Sequence, residues 1–160
     1  MIRKKKNFSR PRKAFDIVRI KAENELLKKY GLKNKKEIWK AEAAVGKVRN
    51  LGKKLITADR EEQEKLFNKL NKWGLKVKTI SDILGLDKEA WLKRRLQSII
   101  ISKNLAKPKE ARQLIAHKHV AIDGKIINVP SYVVEVDEEN KIQVLRKIKP
   151  VKEEIVEVQK

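Results

Sequence analysis

The chain has 160 residues, enough for one ordinary domain or two small ones, and 41% hydrophobic residues can build a core without cross-links. Its 41 Lys and Arg against 21 Asp and Glu leave a net charge of +20, with aromatics at 5% and a mean hydropathy of −0.60; such a surface seeks a polyanion. The absence of cysteine excludes disulfides, a thiolate nucleophile and Cys-ligated zinc or iron–sulfur centres, and the longest aliphatic run, Ile99-Ile100-Ile101, is far below the roughly 20 residues of a membrane span.

Residues 1–13 carry Arg3, Lys4, Lys5, Lys6, Arg10, Arg12 and Lys13 without apolar periodicity, which predicts a flexible basic arm; with no apolar signal region, a soluble, unexported protein is expected. Over residues 14–30, Phe15, Val18, Ala22, Leu26 and Leu27 recur at helical spacing, and the stretch closes on Gly31 and Leu32, a left-handed glycine stop with its trailing hydrophobic contact. The same grammar returns at Trp73-Gly74-Leu75 and Leu84-Gly85-Leu86. Between these stops, residues 35–57 read as a helix weakened by Gly46 and Gly52, each costing about 1 kcal/mol relative to alanine unless close packing offsets it. Asp59 and Glu62 form a capping signature for a helix buried along Leu66, Phe67, Leu70 and Trp73; these aromatics, with Trp39, are read as core. The triplet Glu61, Glu62 and Glu64 complements that helix's N-terminus.

A single helix is expected over residues 87–103, with Leu92, Leu96, Ile99 and Ile100 on one face and Ile101 nearly opposite, beside Arg94. Apolar residues on two sides require two things to pack against, so this helix is placed as the joint between the helical first half and the remainder of the chain. Pro108 opens a short helix with Ala111, Leu114 and Ile115 inward and Lys109, Arg112, Gln113 and Ala116 outward. Asp123-Gly124 between Val120-Ala121-Ile122 and the run 125–129 predicts a tight hairpin, with Val120, Ile122, Ile127 and Val129 on one face. Two further strands are expected around residues 132–136 and 142–145, flanking an acidic turn at 137–140. The fold class is α+β: a helical N-terminal region packed against a small unit of two helices on a short, mostly antiparallel sheet.

Charge tracks this division. Residues 1–60 hold 20 basic and 6 acidic side chains, residues 61–90 hold 6 of each, and residues 91–130 hold 9 and 2. Two basic segments around a neutral one suit two contact surfaces on one nucleic acid, and they lack the wide apolar stripe of a membrane-surface helix. In the second segment, Lys93, Arg94, Arg95, Lys103, Lys107, Lys109, Arg112 and Lys118 converge on one helical pair with one acid, Glu110; Lys107 and Arg112 flank a helix N-terminus, which itself attracts phosphate. Lys47, Arg49, Lys53 and Lys54 are the matching candidates in the first segment. Shape and phosphate readout by a lone small sheet with helices favours RNA over DNA. Catalysis has little to build on: no serine stands in a nucleophile elbow, no phosphate-cradling glycine loop occurs, and His117 and His119, the only histidines, are separated by Lys118, which argues against a metal site.

The run Leu92-Lys-Arg-Arg-Leu-Gln-Ser98, then Ala106-Lys-Pro-Lys-Glu-Ala-Arg-Gln-Leu-Ile-Ala-His-Lys-His-Val120, then Asp123-Gly124 and Val129-Pro-Ser-Tyr132, closely resembles the RNA-binding domain named after ribosomal protein S4 of the small subunit. Tyr30-Gly-Leu-Lys-Asn-Lys-Lys-Glu-Ile-Trp39 and Asp82-Ile-Leu-Gly-Leu86 look like the archaeal and eukaryotic branch of that ribosomal protein family. The resemblance divides the chain into a basic arm (1–13), a helical rRNA-binding domain (14–90), an S4-type domain (91–149) and a C-terminal tail (150–160). It implies a non-enzymatic constituent of the small ribosomal subunit, in the cytoplasm, that binds ribosomal RNA directly and early in assembly and supports decoding accuracy. Its implied partners are ribosomal RNA, ribosomal protein S5 and other small-subunit proteins, and messenger RNA where it enters the subunit; no membrane, cofactor, metal or small-molecule substrate is expected. By position, the RNA-facing residues are Lys103, Lys107, Lys109, Arg112, Gln113, His117, Lys118 and His119. Two departures stand out. Bacterial members often carry an N-terminal cysteine zinc site, impossible here, and the family commonly has glycine near Lys118, so the helix-to-hairpin turn is open to a local difference. The alternatives are a free ribosome-associated factor with the same domain, or an RNA-modifying enzyme such as a pseudouridine synthase, for which the remaining residues are too few and too helical.

Overall fold

The computed structural model describes residues 7–145. The first helix, α1 (Ile17–Tyr30), begins where the Asp16 carboxylate accepts the Val18 and Arg19 amides, and ends where Gly31 turns left-handed at φ 59° and the Leu32 amide reaches back to the Leu27 carbonyl. Next come α2 (Lys35–Lys54), which tightens into a 3-10 turn at Leu55–Thr57, and α3 (Arg60–Lys72), ended by Gly74 at φ 74°. Short helices α4 (Ile80–Leu84) and α5 (Lys88–Lys93) complete this part. Helix α2 serves both of its cores: Ile38 and Ala41 pack with Leu26, Tyr30 and Leu92, while Val48 covers the cluster of Leu66, Leu70, Val77 and Ile83. At Gly52 an added Cβ would lie 2.8 Å from Ile83, so close approach of α4 explains that glycine; at Gly46 nothing lies within 4 Å.

The second part is α6 (Leu96–Ser102), α7 (Pro108–Ala116), β1 (Val120–Ile122), β2 (Lys125–Ile126), the single turn α8 (Val136–Glu139) and β3 (Ile142–Val144), with antiparallel strand order β2-β1-β3. Asp123 and Gly124 both take positive φ, 50° and 76°, as the expected two-residue hairpin requires. One core unites Leu96, Ile99 and Ile100 of α6, Ala111, Leu114 and Ile115 of α7, and Val120 and Ile122 of β1. The α7-to-β1 turn is made without glycine: Lys118 stands left-handed at φ 64°, and the His119 amide donates to the Leu114 carbonyl at 2.9 Å.

Several expectations are corrected. The helix read over residues 87–103 is two, α5 and α6, broken where Arg95 becomes extended and bridges Val133; the Val134 amide donates to the Arg94 carbonyl and the Leu96 amide to the Tyr132 carbonyl. The break leaves its role as joint intact, since Leu92 joins the first part's core and Leu96, Ile99 and Ile100 the second's. The strand expected around residues 132–136 reduces to that one bridge, and the acidic turn is α8. Phe15, Val18 and Ala22 of the predicted α1 stripe are exposed, because none of the described residues covers them; the helix's buried face runs through Glu23, Leu26 and Tyr30. Gly85, at φ −80°, is not a left-handed stop. Asp59 stands at the N-cap of α3 without a side-chain bond, and the reciprocal capping boxes form at Thr79–Asp82 and Glu135–Glu138 instead. The hairpin pairing ends at Ile127, whose amide donates to the Val120 carbonyl and whose side chain packs on the core as expected, whereas Val129 is exposed.

Candidate nucleic-acid interface

The cations found in sequence fall into two sets. One set faces outward. Lys107 caps α7, Pro108 occupies its first position, and Lys109 and Gln113 are exposed along it; His117 and Lys118 come next, exposed, with His119 half-buried. The His117 and His119 rings stack, 6.4 Å apart and 24° from parallel. Pro108 has no amide hydrogen and the Lys107 carbonyl takes the Ala111 amide, so the Lys109 and Glu110 amides remain open at a helix end that favours negative charge. Lys93 is also exposed, as are Lys47, Lys53 and Lys54 on α2 and Arg10, Arg12 and Lys13 of the arm; of these, Lys47 shares a cleft with Arg112 of α7, while Lys93 lines a different one. The arm's root is anchored: Phe8 lies 6.1 Å from Trp39, and Arg19 donates to the Lys13 and Ala14 carbonyls. Arg3, Lys4, Lys5 and Lys6 lie outside the described residues, as does the tail at 150–160.

The other set is turned into the protein. Arg95, 4% exposed, donates to Glu37 Oε2 at 2.5 Å, and Arg112 faces Glu37 Oε1 at 3.0 Å, so α7's outward arginine is bent onto α2. Arg94 pairs with Glu139 at 3.0 Å and donates to the Val134 carbonyl; Lys103 donates to the Glu139 carbonyl. Arg49 donates to the Leu86 carbonyl at 2.5 Å and stands 3.9 Å from Asp87. Burial alone would raise the Glu37 carboxyl, but the hydrogen bond and charge of Arg95, with the charge of Arg112, hold it below the usual carboxylate range.

The Glu37 pairs clamp the two parts together, while the Arg49 and Lys103 contacts brace each part internally. Beside the Glu37 triad, the buried Gln97 amide donates to both the Gly31 and Pro108 carbonyls at 2.9 Å, tying the end of α1 to the start of α7. A Cβ on Gly31 would meet Pro108 at 2.5 Å, so that glycine is required for the approach as well as for its φ. The outward cations of α2 and α7 are thereby held on one rigid frame. Sequence reasoning missed Glu37, Gln97, Lys40 and Trp91. Of these only Lys40 carried a local signal, its seven-residue spacing from Lys47 on one face of α2.

Two clefts border the clamp. One, of 1160 Å³, has balanced charge, with Lys29, Lys76, Lys93 and Arg94 against Asp82, Asp87, Glu89 and Glu139. The other, of 470 Å³, has Lys40, Lys47, Arg95 and Arg112 against Glu37 alone. Among the described residues no group of three or more His, Cys, Asp or Glu is arranged to hold a metal, and no helix is long and apolar enough to cross a membrane.

A small antiparallel sheet bearing two helices, an open basic helix end on its surface and a second cationic helix locked to it define an RNA-binding protein. Residues 94–140 match the S4 domain. The similarity reaches well beyond that segment. The chain is 45% identical over 145 residues to small ribosomal subunit protein uS4 of Methanococcus aeolicus, covering 86% of this chain and 82% of the relative. It is 41% identical over 145 residues to that of Methanothermobacter thermautotrophicus (86% and 85%) and 47% identical over 132 residues to that of Saccharolobus solfataricus (78% and 73%). The chain belongs to the uS4 family, in its archaeal branch.

Proposed function

We propose that this protein is a structural, non-enzymatic constituent of the small ribosomal subunit that binds small-subunit ribosomal RNA directly. The observation that carries the reading is the extent of similarity: a 145-residue match to small-subunit proteins runs through the helical half as well as the S4 domain. A pseudouridine synthase that merely borrows the domain would match within 94–140 alone, and the helical half would be unaccounted for. Within the family reading, the arm (1–13) and helical domain (14–90) grip one RNA region and the S4-type domain (91–149) another.

On the S4-type domain, the RNA-facing set narrows to Lys93, Lys107, Lys109, Gln113, His117 and Lys118, which the fold leaves open, and to Arg112 and His119, which are half-buried, joined by Lys47, Lys53 and Lys54 from α2. Arg49, Arg94, Arg95 and Lys103 serve the frame that holds them. The finer role is to nucleate subunit assembly and support accurate decoding in the cytoplasm, beside ribosomal protein S5 and the incoming messenger RNA. Centrifugation of cell extract through a high-salt gradient tests the reading: the protein travels with mature small subunits. Recovery only at the top of the gradient would favour a free ribosome-associated factor.

A further inference from the structure

Between α2, α5, α7 and the loop at Pro130–Ser131 lies the cleft of 470 Å³, a size within the roughly 300–1,000 Å³ of small-ligand sites. Its floor on α2 is Ala41 and Ala44, whose small side chains leave the space open; Lys40 and Lys47, both exposed, flank them along the same helix face. Seven residues of helix set these lysines about 10 Å apart along the axis. Opposite stand Trp91 and Pro130, an aromatic ring and an apolar edge. Arg95 and Arg112 close the end, sharing Glu37.

The charge in this cleft is unfinished. Among the described residues, four cations face one carboxylate, and that carboxylate already serves two arginines. Among the described residues the buried Arg95 Nε–H has no hydrogen-bond partner, as is also true of those of Arg49 and Arg94. A bare phosphate would satisfy the cations but leave the Trp91 and Pro130 walls and most of the volume unused. An unpaired nucleotide uses both, its base stacking on the ring and its phosphate meeting the cations.

Resting on the RNA-binding reading above, we propose that this cleft seats one extruded, unpaired nucleotide of the bound RNA, its base against Trp91 and Pro130 and its phosphate on Arg112 and Lys47. The nucleotide then lies at the junction of the two parts, so the RNA reads their relative placement as well as each surface.

The test is Ala44→Leu, which fills the cleft without changing charge, with Asn50→Leu, exposed and outside the cleft on the same helix, as control. Filter binding to small-subunit ribosomal RNA at 150 mM salt is expected to weaken at least ten-fold for Ala44→Leu and to stay within two-fold for Asn50→Leu, with circular-dichroism melts confirming that both fold. Unchanged affinity for Ala44→Leu overturns the nucleotide seat while leaving the family reading intact; failure of the unsubstituted chain to bind overturns that reading instead. Should Ala44→Leu not fold, amide NMR of the unsubstituted chain decides. Uridine 5′-monophosphate is expected to shift Ala44 and Arg95 more than equimolar inorganic phosphate does, and equal shifts defeat the proposal.

Discussion

Glu37 is the residue on which the two parts meet. It accepts from Arg95 at 2.5 Å and faces Arg112 at 3.0 Å, with its side chain 16% exposed, so its charge is the counterweight to a guanidinium almost wholly removed from water. Replacing it by glutamine leaves Arg95 buried and uncompensated, and breaking a pair of this kind costs about 3–5 kcal/mol, a large share of the roughly 5–15 kcal/mol of a whole domain. The pH dependence has a definite sign. Because the arginines hold the folded carboxyl below its ordinary range, the ion pair contributes fully above the unfolded value, about 4.3, and is lost as pH falls through the lower folded value. Urea melts of the unsubstituted chain and of Glu37→Gln are therefore expected to differ most at neutral pH and to converge as the pH falls through the lowered folded value. A gap that stayed constant through the acid range would mean that Glu37 contributes no charge to the clamp. None of this was legible locally: Glu37 lies 58 residues from Arg95 and 75 from Arg112, and in sequence it is only an acid in the first turn of a helix.

At the scale of elements, α2 contains its own comparison. Gly46 and Gly52 look alike in sequence, both being helix-interior glycines that cost about 1 kcal/mol relative to alanine. A Cβ at 46 meets nothing within 4 Å, whereas one at 52 lies 2.8 Å from Cγ2 of the buried, β-branched Ile83. Gly46→Ala is expected to stabilise the protein by about 0.5–1 kcal/mol, and Gly52→Ala to destabilise it by about 1–3 kcal/mol because α4 must move; thermal melts of the two variants check the opposite signs. The same contrast explains which elements sequence reveals. Gly31, Gly74 and the Asp123-Gly124 hairpin were readable because a positive φ is a demand of the local backbone. The break between α5 and α6 was not, because it exists only where the chain from Tyr132 to Val134 returns to take the backbone bonds of Arg94 and Leu96. Lys118 shows the limit from the other side: it holds a left-handed turn that glycine grammar cannot find, since the fold imposes it on a lysine.

For the whole molecule, the division of the cations into outward and inward sets decides how binding responds to salt. Each phosphate neutralised by a free cation contributes a log–log slope of roughly −0.7 to −0.9, depending on RNA form. Lys107, Lys109 and Lys118 are exposed, and none of their side chains holds part of the frame, so replacing all three by alanine is expected to make the slope shallower by about 2–3 while the melting temperature stays close to that of the unsubstituted chain. Arg112 behaves differently: its alanine variant also removes a partner of Glu37, so affinity and stability fall together. Composition showed that the surface is cationic and roughly where, but a charge count weighs Lys109 and Arg95 equally, and only tertiary packing separates a side chain that faces water from one that faces Glu37. Filter binding to small-subunit ribosomal RNA between 50 and 300 mM salt, paired with melts of the same variants, distinguishes the two roles. An unchanged slope for the triple-lysine variant would remove α7 and its following turn from the RNA surface and leave the cations of α2 and the arm to carry the contact.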